Sequence, residues 1–196
     1  MKAYLAKILP PSIQLSPEML DQMQVHWDLL LEWNERVNLT AILDPQEAAD
    51  LHYRDSLAAL EHGIKGPVVD MGSGGGFPGI PLAIAMPSTQ FTLVEPRRKR
   101  VSFLRTAVSR LGLRNVKIEM TRAEHGTPEP FQSLVTRATF SDPKELASLS
   151  PWISSGGTLY FYRASNYDQV PGSRRVHYEL STETRALDLL DASEIG

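Results

Sequence analysis

Asp70, Gly72, Gly74, Gly75 and Gly76 fall within seven positions, directly after the β-branched pair Val68-Val69. An acid and a run of glycines at the end of an apolar stretch predict a strand that turns abruptly into a loop. Glycine has no Cβ and tolerates positive φ, so a ligand can come close to the backbone there. Pro78 and Pro81 suit the first turn of a following helix, where a missing N–H costs little. The expected result is a set of unpaired backbone N–H groups at a helix N-terminus, beside a nucleotide-like ligand. A tight turn with no ligand is the plain alternative, and four glycines beside a strand-ending acid argue against it. Glu95 follows Asp70 by 25 residues and closes a second apolar run, 91–95. An acid at the end of the second strand of a βαβ unit can accept hydrogen bonds from both ribose hydroxyls. A solvated charge at a strand end is the blander reading, and the spacing favours the ribose.

Two cofactor classes use such a loop. Gly74, Gly76 and Gly79 satisfy G-x-G-x-x-G, the dinucleotide fingerprint, which is weak when it stands alone. Read from Asp70, the stretch is D-x-G-x-G-x-G, a pattern that resembles S-adenosylmethionine-dependent methyltransferases.

Other chemistry-bearing residues are fewer. His52, Asp55 and Ser56 lie at i, i+3 and i+4 and share a helical face. They do not make a hydrolase, because residues on one helical face rarely orient each other as a catalytic triad requires. A hydrogen-bonded contact between helix and core is the preferred reading. Residues 96–117 hold eight Lys or Arg and no Asp or Glu. A charge run is usually a solvated face. The absence of any acid makes Arg97, Arg98, Lys99 and Arg100 a candidate phosphate-facing surface instead, although the net charge is −3. There are no cysteines, which excludes disulfides, Cys-based zinc sites and cysteine nucleophiles. No metal site is predicted.

The elements that must position these residues follow from local signals. A chain of 196 residues suffices for one full core with a helical extension. We expect the extension over 1–62 and an α/β core over 63–196. Ser16 caps a predicted helix over 16–33, with Pro17 in its first turn and Leu20, Met23, Trp27, Leu30 and Leu31 on one apolar face. Asp44-Pro45-Gln46-Glu47 resembles a capping box, and so does Asp142-Pro143-Lys144-Glu145. The basic run opens a helix with Val101, Leu104, Val108 and Leu111 inward and Gly112 at its C-cap. Further strands are predicted over 116–120, 133–136 and 158–162, with Gly156-Gly157 as the turn into the last. Stretches 176–180 and 186–190 should form an antiparallel hairpin at one sheet edge. No apolar run approaches the roughly 20 residues of a membrane span, and no signal peptide is evident. A cytoplasmic protein without a membrane partner is the expectation.

Together these residues resemble the bacterial small-subunit ribosomal RNA methyltransferase G family, also called glucose-inhibited division protein B. The matching stretches are Trp33-Asn34 with Asn38-Leu39-Thr40, His52-x-x-Asp55-Ser56-Leu57, and Asp70-Met71-Gly72-Ser73-Gly74-Gly75-Gly76-Phe77-Pro78-Gly79-Ile80-Pro81. Arg122-Ala123-Glu124 and Arg137-Ala138 complete them, over about residues 20–165. The resemblance implies a Rossmann-like class I fold with a mostly parallel twisted sheet. It implies methyl transfer from S-adenosylmethionine to N7 of a guanine, guanine-527, in the 530 loop of 16S ribosomal RNA. Carried over by position, Gly72 and Phe77 meet the cofactor in the loop and Glu95 meets its ribose. Ala123 and Glu124 lie beside its adenine, and Arg137 stands at its methionine end or at the entering base. Arg163 stands where the family usually has a lysine and is counted with the RNA-contacting residues. The implied partner is 16S ribosomal RNA within the small subunit, and the implied state is a monomer. Guanine N7 needs no general base. The chain lacks the cysteine that pyrimidine C5 methylation usually uses, and it lacks the Asn/Asp-Pro-Pro-aromatic loop common in adenine-amine methylation. A small-molecule methyltransferase, an NAD-dependent oxidoreductase and a non-catalytic RNA-binding protein remain as alternatives, in that order.

Overall fold

A computed structural model describes residues 1–125, 130–137 and 143–195. Val68–Met71 (β1) and Phe91–Val94 (β2) are four-residue strands buried at every position. Uninterrupted burial is what a central parallel strand covered on both faces requires. β1 pairs in parallel with β2 on one side and with Phe131–Arg137 (here β4) on the other; Val116–Glu119 (β3) extends the sheet beyond β2. Ile153–Ala164 (β5) adds in parallel to β4. Arg174–Glu179 (β6) and Thr184–Asp191 (β7) form the expected antiparallel hairpin, with β7 inserted between β5 and β6. The order is β3-β2-β1-β4-β5-β7-β6. The chain direction across the sheet reverses between β1 and β4, and an open α/β sheet has its ligand crevice outside the strand ends at such a point.

Helices cover both faces. On one, Pro17–Asn34 (α2), Gly79–Ala85 (α5) and Arg98–Leu111 (α6) share an apolar cluster that includes Met23, Trp27, Leu30, Ile80, Ile84, Phe103 and Leu104. Lys2–Ile8 (α1) joins it through Leu5. On the other, the 3-10 segment Pro143–Trp152 places Leu146, Leu149 and Trp152 over Val69, Met71, Leu134, Leu159 and Phe161. Local signals set several boundaries. The Ser16 side chain accepts from Met19 N, Asp44 accepts from Gln46 N and Glu47 N, and Gly112 ends α6 at φ 66°. The helix that Asp44 opens is not uniform. Pro45–Ala48 (α3) leads into a π-helical stretch, Ala49–Arg54, then Asp55–Leu57 (α4) and a 3-10 turn, Ala58–His62. Such π stretches often occur where side chains are re-aimed toward a functional site.

One local expectation changes. Gly156-Gly157 is not a turn before β5 but part of it. The pairing jumps from Phe131↔Ile153 to Ser133↔Thr158, a bulge in which Gly156 takes φ 76°. A Cβ on Gly157 would lie 2.6 Å from Ile153 Cγ2, so the strand can pass there only without a side chain. Asp142, the cap expected for the following helix, and Ala138 of the Arg137-Ala138 motif lie outside the described residues.

Candidate cofactor and substrate site

The end of β1, the glycine loop and the start of α5 form one hydrogen-bonded unit. Gly72 N and Ser73 N donate to Val94 O at 2.9 and 3.1 Å, which ties the loop to the end of β2. Gly74 N donates to Glu95 Oε2 at 3.0 Å, and Gly79 N donates to Asp70 Oδ2 at 3.0 Å. Gly76 N and Phe77 N donate to Ser73 O at 2.7 and 3.1 Å. Gly72, Gly74 and Gly76 all take positive φ, as this sharp path demands. Most of the amides expected to be unpaired are therefore taken. Two carboxylates, the Val94 carbonyl of β2 and the Ser73 carbonyl of the loop accept these N–H groups, and Asp70 occupies the N-terminus of α5; among the loop glycines 72–76, Gly75 N alone has no acceptor among the described residues. A pyrophosphate would meet acids where it needs donors, which removes the dinucleotide reading.

Asp70 is fully buried and does not line the cavity. Its Oδ1 has no hydrogen-bond partner. Burial raises its carboxyl from 3.8 to about 7, against the opposing pull of Ser73, the Gly79 N–H and Arg137. Gly76 is likewise structural: a Cβ there would lie 2.5 Å from Ile80 Cδ1 and 3.1 Å from His26 Nε2.

A cavity of about 400 Å³ opens above the loop, with Gly72, Gly74, Phe77, Glu95, Arg97, Arg100, His52 and Arg137 among its lining. A smaller, mainly apolar one of about 160 Å³ adjoins it, sharing Gly72 and Pro96 and adding Met71, Val94, Ala123 and Glu124. Trp152 Nε1 donates to Ala123 O at 2.9 Å and so fixes that wall. Glu95 is 2 % exposed. Each of its oxygens accepts one backbone N–H, Oε2 from Gly74 and Oε1 from Arg97 at 2.8 Å. A carboxylate has about four lone-pair sites, so acceptor capacity remains for a diol. A polar chamber with one buried carboxylate, beside an apolar slot for a flat base, fits S-adenosylmethionine, which carries no phosphate.

At the other end of the larger cavity, Arg137 is anchored rather than mobile. Its Nη1 donates to Asp55 Oδ2 at 2.7 Å and Leu51 O at 3.1 Å. Its guanidinium lies 5.2 Å from the Phe77 ring centre. The His52 ring stacks on Phe77 at 4.5 Å, its Nδ1 3.5 Å from Arg137 Nη2 and its Nε2 2.7 Å from Thr40 Oγ1. A cation facing Nδ1 requires that nitrogen to be bare, so Nε2 carries the proton and donates to Thr40. Burial, the Arg137 charge and His26 hold His52 down at about 3. Ser56 Oγ donates to His52 O, so no nucleophile–base pair exists among these three.

Asp55 is also the junction with the C-terminal hairpin: Tyr178 Oη donates to its Oδ1 at 2.6 Å, and Arg185 Nε lies 3.4 Å away. His26, which the sequence reading did not single out, supports the loop from behind. Its Nε2 donates to Gly75 O at 3.0 Å and its Nδ1 accepts from Tyr53 Oη at 2.9 Å. Burial holds it at about 4. A histidine beside Trp27 on the apolar face of α2 was the only available signal.

The basic residues divide. Arg97 and Arg100 line the cofactor cavity, and Arg100 Nη1 stands 3.9 Å from Glu95 Oε2. Arg98 and Lys99 are exposed outside it. Arg163 lines neither cavity. It is 9 % exposed, held by Asp168 O at 3.0 Å and Asp188 Oδ2 at 4.0 Å, with its guanidinium 5.0 Å from both Phe161 and Tyr167. It is an internal cation, not a surface one.

A glycine loop tied back to Asp70, Glu95 and β2 beneath a chamber with one buried carboxylate, at the switch point of this strand order, is the architecture of a class I S-adenosylmethionine-dependent methyltransferase. A SAM-dependent methyltransferase from Aquifex aeolicus shares the fold at TM-score 0.56 and 18% identity, over 75% of this chain and 94% of that one. The chain belongs to the rRNA small subunit methyltransferase G family, whose model matches residues 19–187. The ribosomal RNA small subunit methyltransferase G of Solibacter usitatus is 34% identical over 200 aligned residues, 97% of this chain and 95% of that protein. That of Clostridium beijerinckii is 37% identical over 166, 80% and 69% respectively. This chain is thus a ribosomal RNA methyltransferase that uses S-adenosylmethionine. Among the described residues, no helix is long and apolar enough to cross a membrane, and no cluster of acids and histidines could hold a metal.

Proposed function

We propose that this chain methylates N7 of a guanine in the 530 loop of 16S ribosomal RNA, guanine-527, within the small ribosomal subunit, as a cytoplasmic monomer. The observation that carries the choice of atom is that the titratable groups lining the larger cavity offer no general base. His52 is held at about 3 and hydrogen-bonded on one side. Glu95 is engaged by two backbone amides. The remainder are arginines. A good general base has a pKa near the working pH. Guanine N7 carries an in-plane lone pair and attacks without losing a proton, so this site suits it.

S-adenosylmethionine, when bound, supplies an electrophilic methyl group on a sulfonium. The residues do the positioning. Glu95 accepts from the ribose hydroxyls, Ala123 and Glu124 flank the adenine, and Gly72, Gly74 and Phe77 shape the floor. Arg137, locked by Asp55, faces either the methionine carboxylate or the guanine O6, the usual partner of a guanidinium on guanine. Positioning of this kind can lower a barrier by about 7–11 kcal/mol. Arg98 and Lys99, exposed beside the cavity, meet RNA phosphates.

The test is tritium transfer from methyl-labelled S-adenosylmethionine to small subunits lacking the modification, with free 16S RNA and a metabolite extract in parallel. Label in subunit RNA supports the proposal. Label only in the metabolite fraction refutes the substrate.

A further inference from the structure

A second cavity of about 390 Å³ lies on the other side of the α6 N-terminus, lined by Glu32, Trp33, Arg36, Val37, Lys99 and Ser102. None of these residues lines the cofactor chamber. The first turn of α6 serves both: Arg97 and Arg100, three apart, face the cofactor, and Lys99 and Ser102, three apart, face this cavity. Arg100 Nη2 also donates to Asn38 O at 3.3 Å, which ties α6 to the chain leaving α2. The two cavities are therefore neighbours across one helix turn.

The lining has a distinct chemistry. Trp33 is half-buried, its indole held at 5.9 Å and 63° to Phe103, so it is a fixed aromatic rather than a mobile one. Arg36 and Lys99 are exposed cations at the rim. Glu32 supplies an acceptor. An aromatic platform stacks a base, cations meet the phosphates that flank it, and a carboxylate accepts from an exocyclic amine, as from cytosine N4. A phosphate ion alone would make no use of Trp33 or Glu32, and an apolar peptide would make no use of the two cations.

We infer that this cavity is a second nucleotide subsite, which takes an unstacked base flanking the target guanine in single-stranded substrate RNA. The inference rests on the RNA reading above. It explains how an acidic chain holds RNA: one nucleotide enters the cofactor chamber and a neighbour is gripped across α6.

The test uses the full chain with S-adenosylmethionine and unmodified small subunits. Trp33→Ala should raise the RNA KM roughly 5- to 150-fold, the range expected for loss of one stacked base. S-adenosylmethionine affinity should stay at the wild-type value, and Trp33→Phe should restore most of the RNA KM. Arg36→Ala with Lys99→Ala, two exposed positions that do not threaten folding, should flatten the log–log salt dependence of RNA binding by about 1.4, for two lost phosphate contacts on a single strand. A Trp33→Ala protein with wild-type cofactor affinity and an unchanged RNA KM would overturn the subsite. If that variant does not fold, an unchanged salt slope in the double variant overturns it. Wild-type protein that methylates no RNA would sink both this inference and the function on which it rests. RNA methylation that is indifferent to these changes would sink the subsite alone.

Discussion

Replacing Asp55 by Asn should cost this protein more stability than any other single polar change near the site. Asp55 is 1 % exposed at its side chain and meets both Arg137, 12 % exposed, and Arg185, 20 % exposed; Arg185 also reaches the exposed Glu183 at 3.3 Å. It also accepts from Tyr178 Oη at 2.6 Å. Asn keeps the shape and one acceptor but leaves two largely covered guanidiniums facing a neutral group, with only the exposed Glu183 still beside Arg185. Breaking a buried ion pair by removing one partner costs about 3–5 kcal/mol, because the other charge stays uncompensated. For a chain of this size, that corresponds to a fall in Tm of roughly 6–20 °C. Tyr178→Phe removes one hydrogen bond to a charged group and should cost less, about 1.5–3 kcal/mol. Arg185→Met should be milder still, since Asp55 keeps Arg137 and Tyr178. In the double variant Asp55→Asn/Arg185→Met, part of the loss should return, because one of the two cations facing the neutral group is gone. Urea unfolding of the four variants and the wild type at pH 7 measures all of these quantities. A loss below 1 kcal/mol for Asp55→Asn, or a double variant no more stable than it, would refute the electrostatic reasoning.

Other expectations follow from the same geometry. Gly74→Arg puts a long side chain into the cofactor chamber from a backbone at φ 54°, and Glu95→Ala removes the acceptor for Gly74 N and Arg97 N. Each should weaken S-adenosylmethionine binding by roughly 10- to 150-fold in calorimetry, the worth of one hydrogen bond to a charged group, and unchanged affinity in both would count against the chamber. The Asp70 carboxyl, raised to about 7, holds its proton more tightly folded than unfolded. Its contribution to stability is therefore full below 3.8 and is lost as pH climbs to about 7. Asp70→Asn keeps an oxygen for Gly79 N–H, so its stability relative to wild type should improve by roughly 2–3 kcal/mol between pH 5 and 8; a flat difference would contradict the buried acid. His26 and His52 lie on the opposite branch, because their folded values sit below the unfolded 6.5. The stability they contribute is full above 6.5 and is lost as pH falls toward 4 and 3. Histidine ring NMR should show neither titrating above pH 5, and a midpoint near 6.5 for either would be incompatible with its burial.

Much of the site was legible in the sequence because it is local. An acid, four glycines and two prolines in line dictate a strand, a sharp loop and a helix, and Ser16, Asp44 and Gly112 mark boundaries by capping alone. The partners of the loop amides were not legible. Whether Gly74 N and Gly79 N face a ligand or a carboxylate depends on where Glu95 and Asp70 arrive in space, 21 and nine residues away in the chain. Arg163 reads as a surface cation beside its neighbours, yet its counter-charge Asp188 comes from the paired strand β7. His26 looks like one more core residue until Gly75 and Tyr53 close around it. The Gly156-Gly157 bulge imitates a turn because both need a residue without a side chain. The family match runs to residue 187, past the stretch at 165 where recognisable motifs stop. Within that span, Tyr178 and Arg185 reach Asp55 from the hairpin, a long-range contact that no contiguous pattern marks.

The most direct measurement is strand scission at N7-methylguanine in 16S RNA extracted from subunits treated with this protein and S-adenosylmethionine, read by primer extension. One new stop is expected, in the 530 loop, absent without cofactor and strongly reduced with the Glu95→Ala protein. Methyl label in the RNA with no scission, or scission at another loop, would contradict the chemistry or the target assigned to this site.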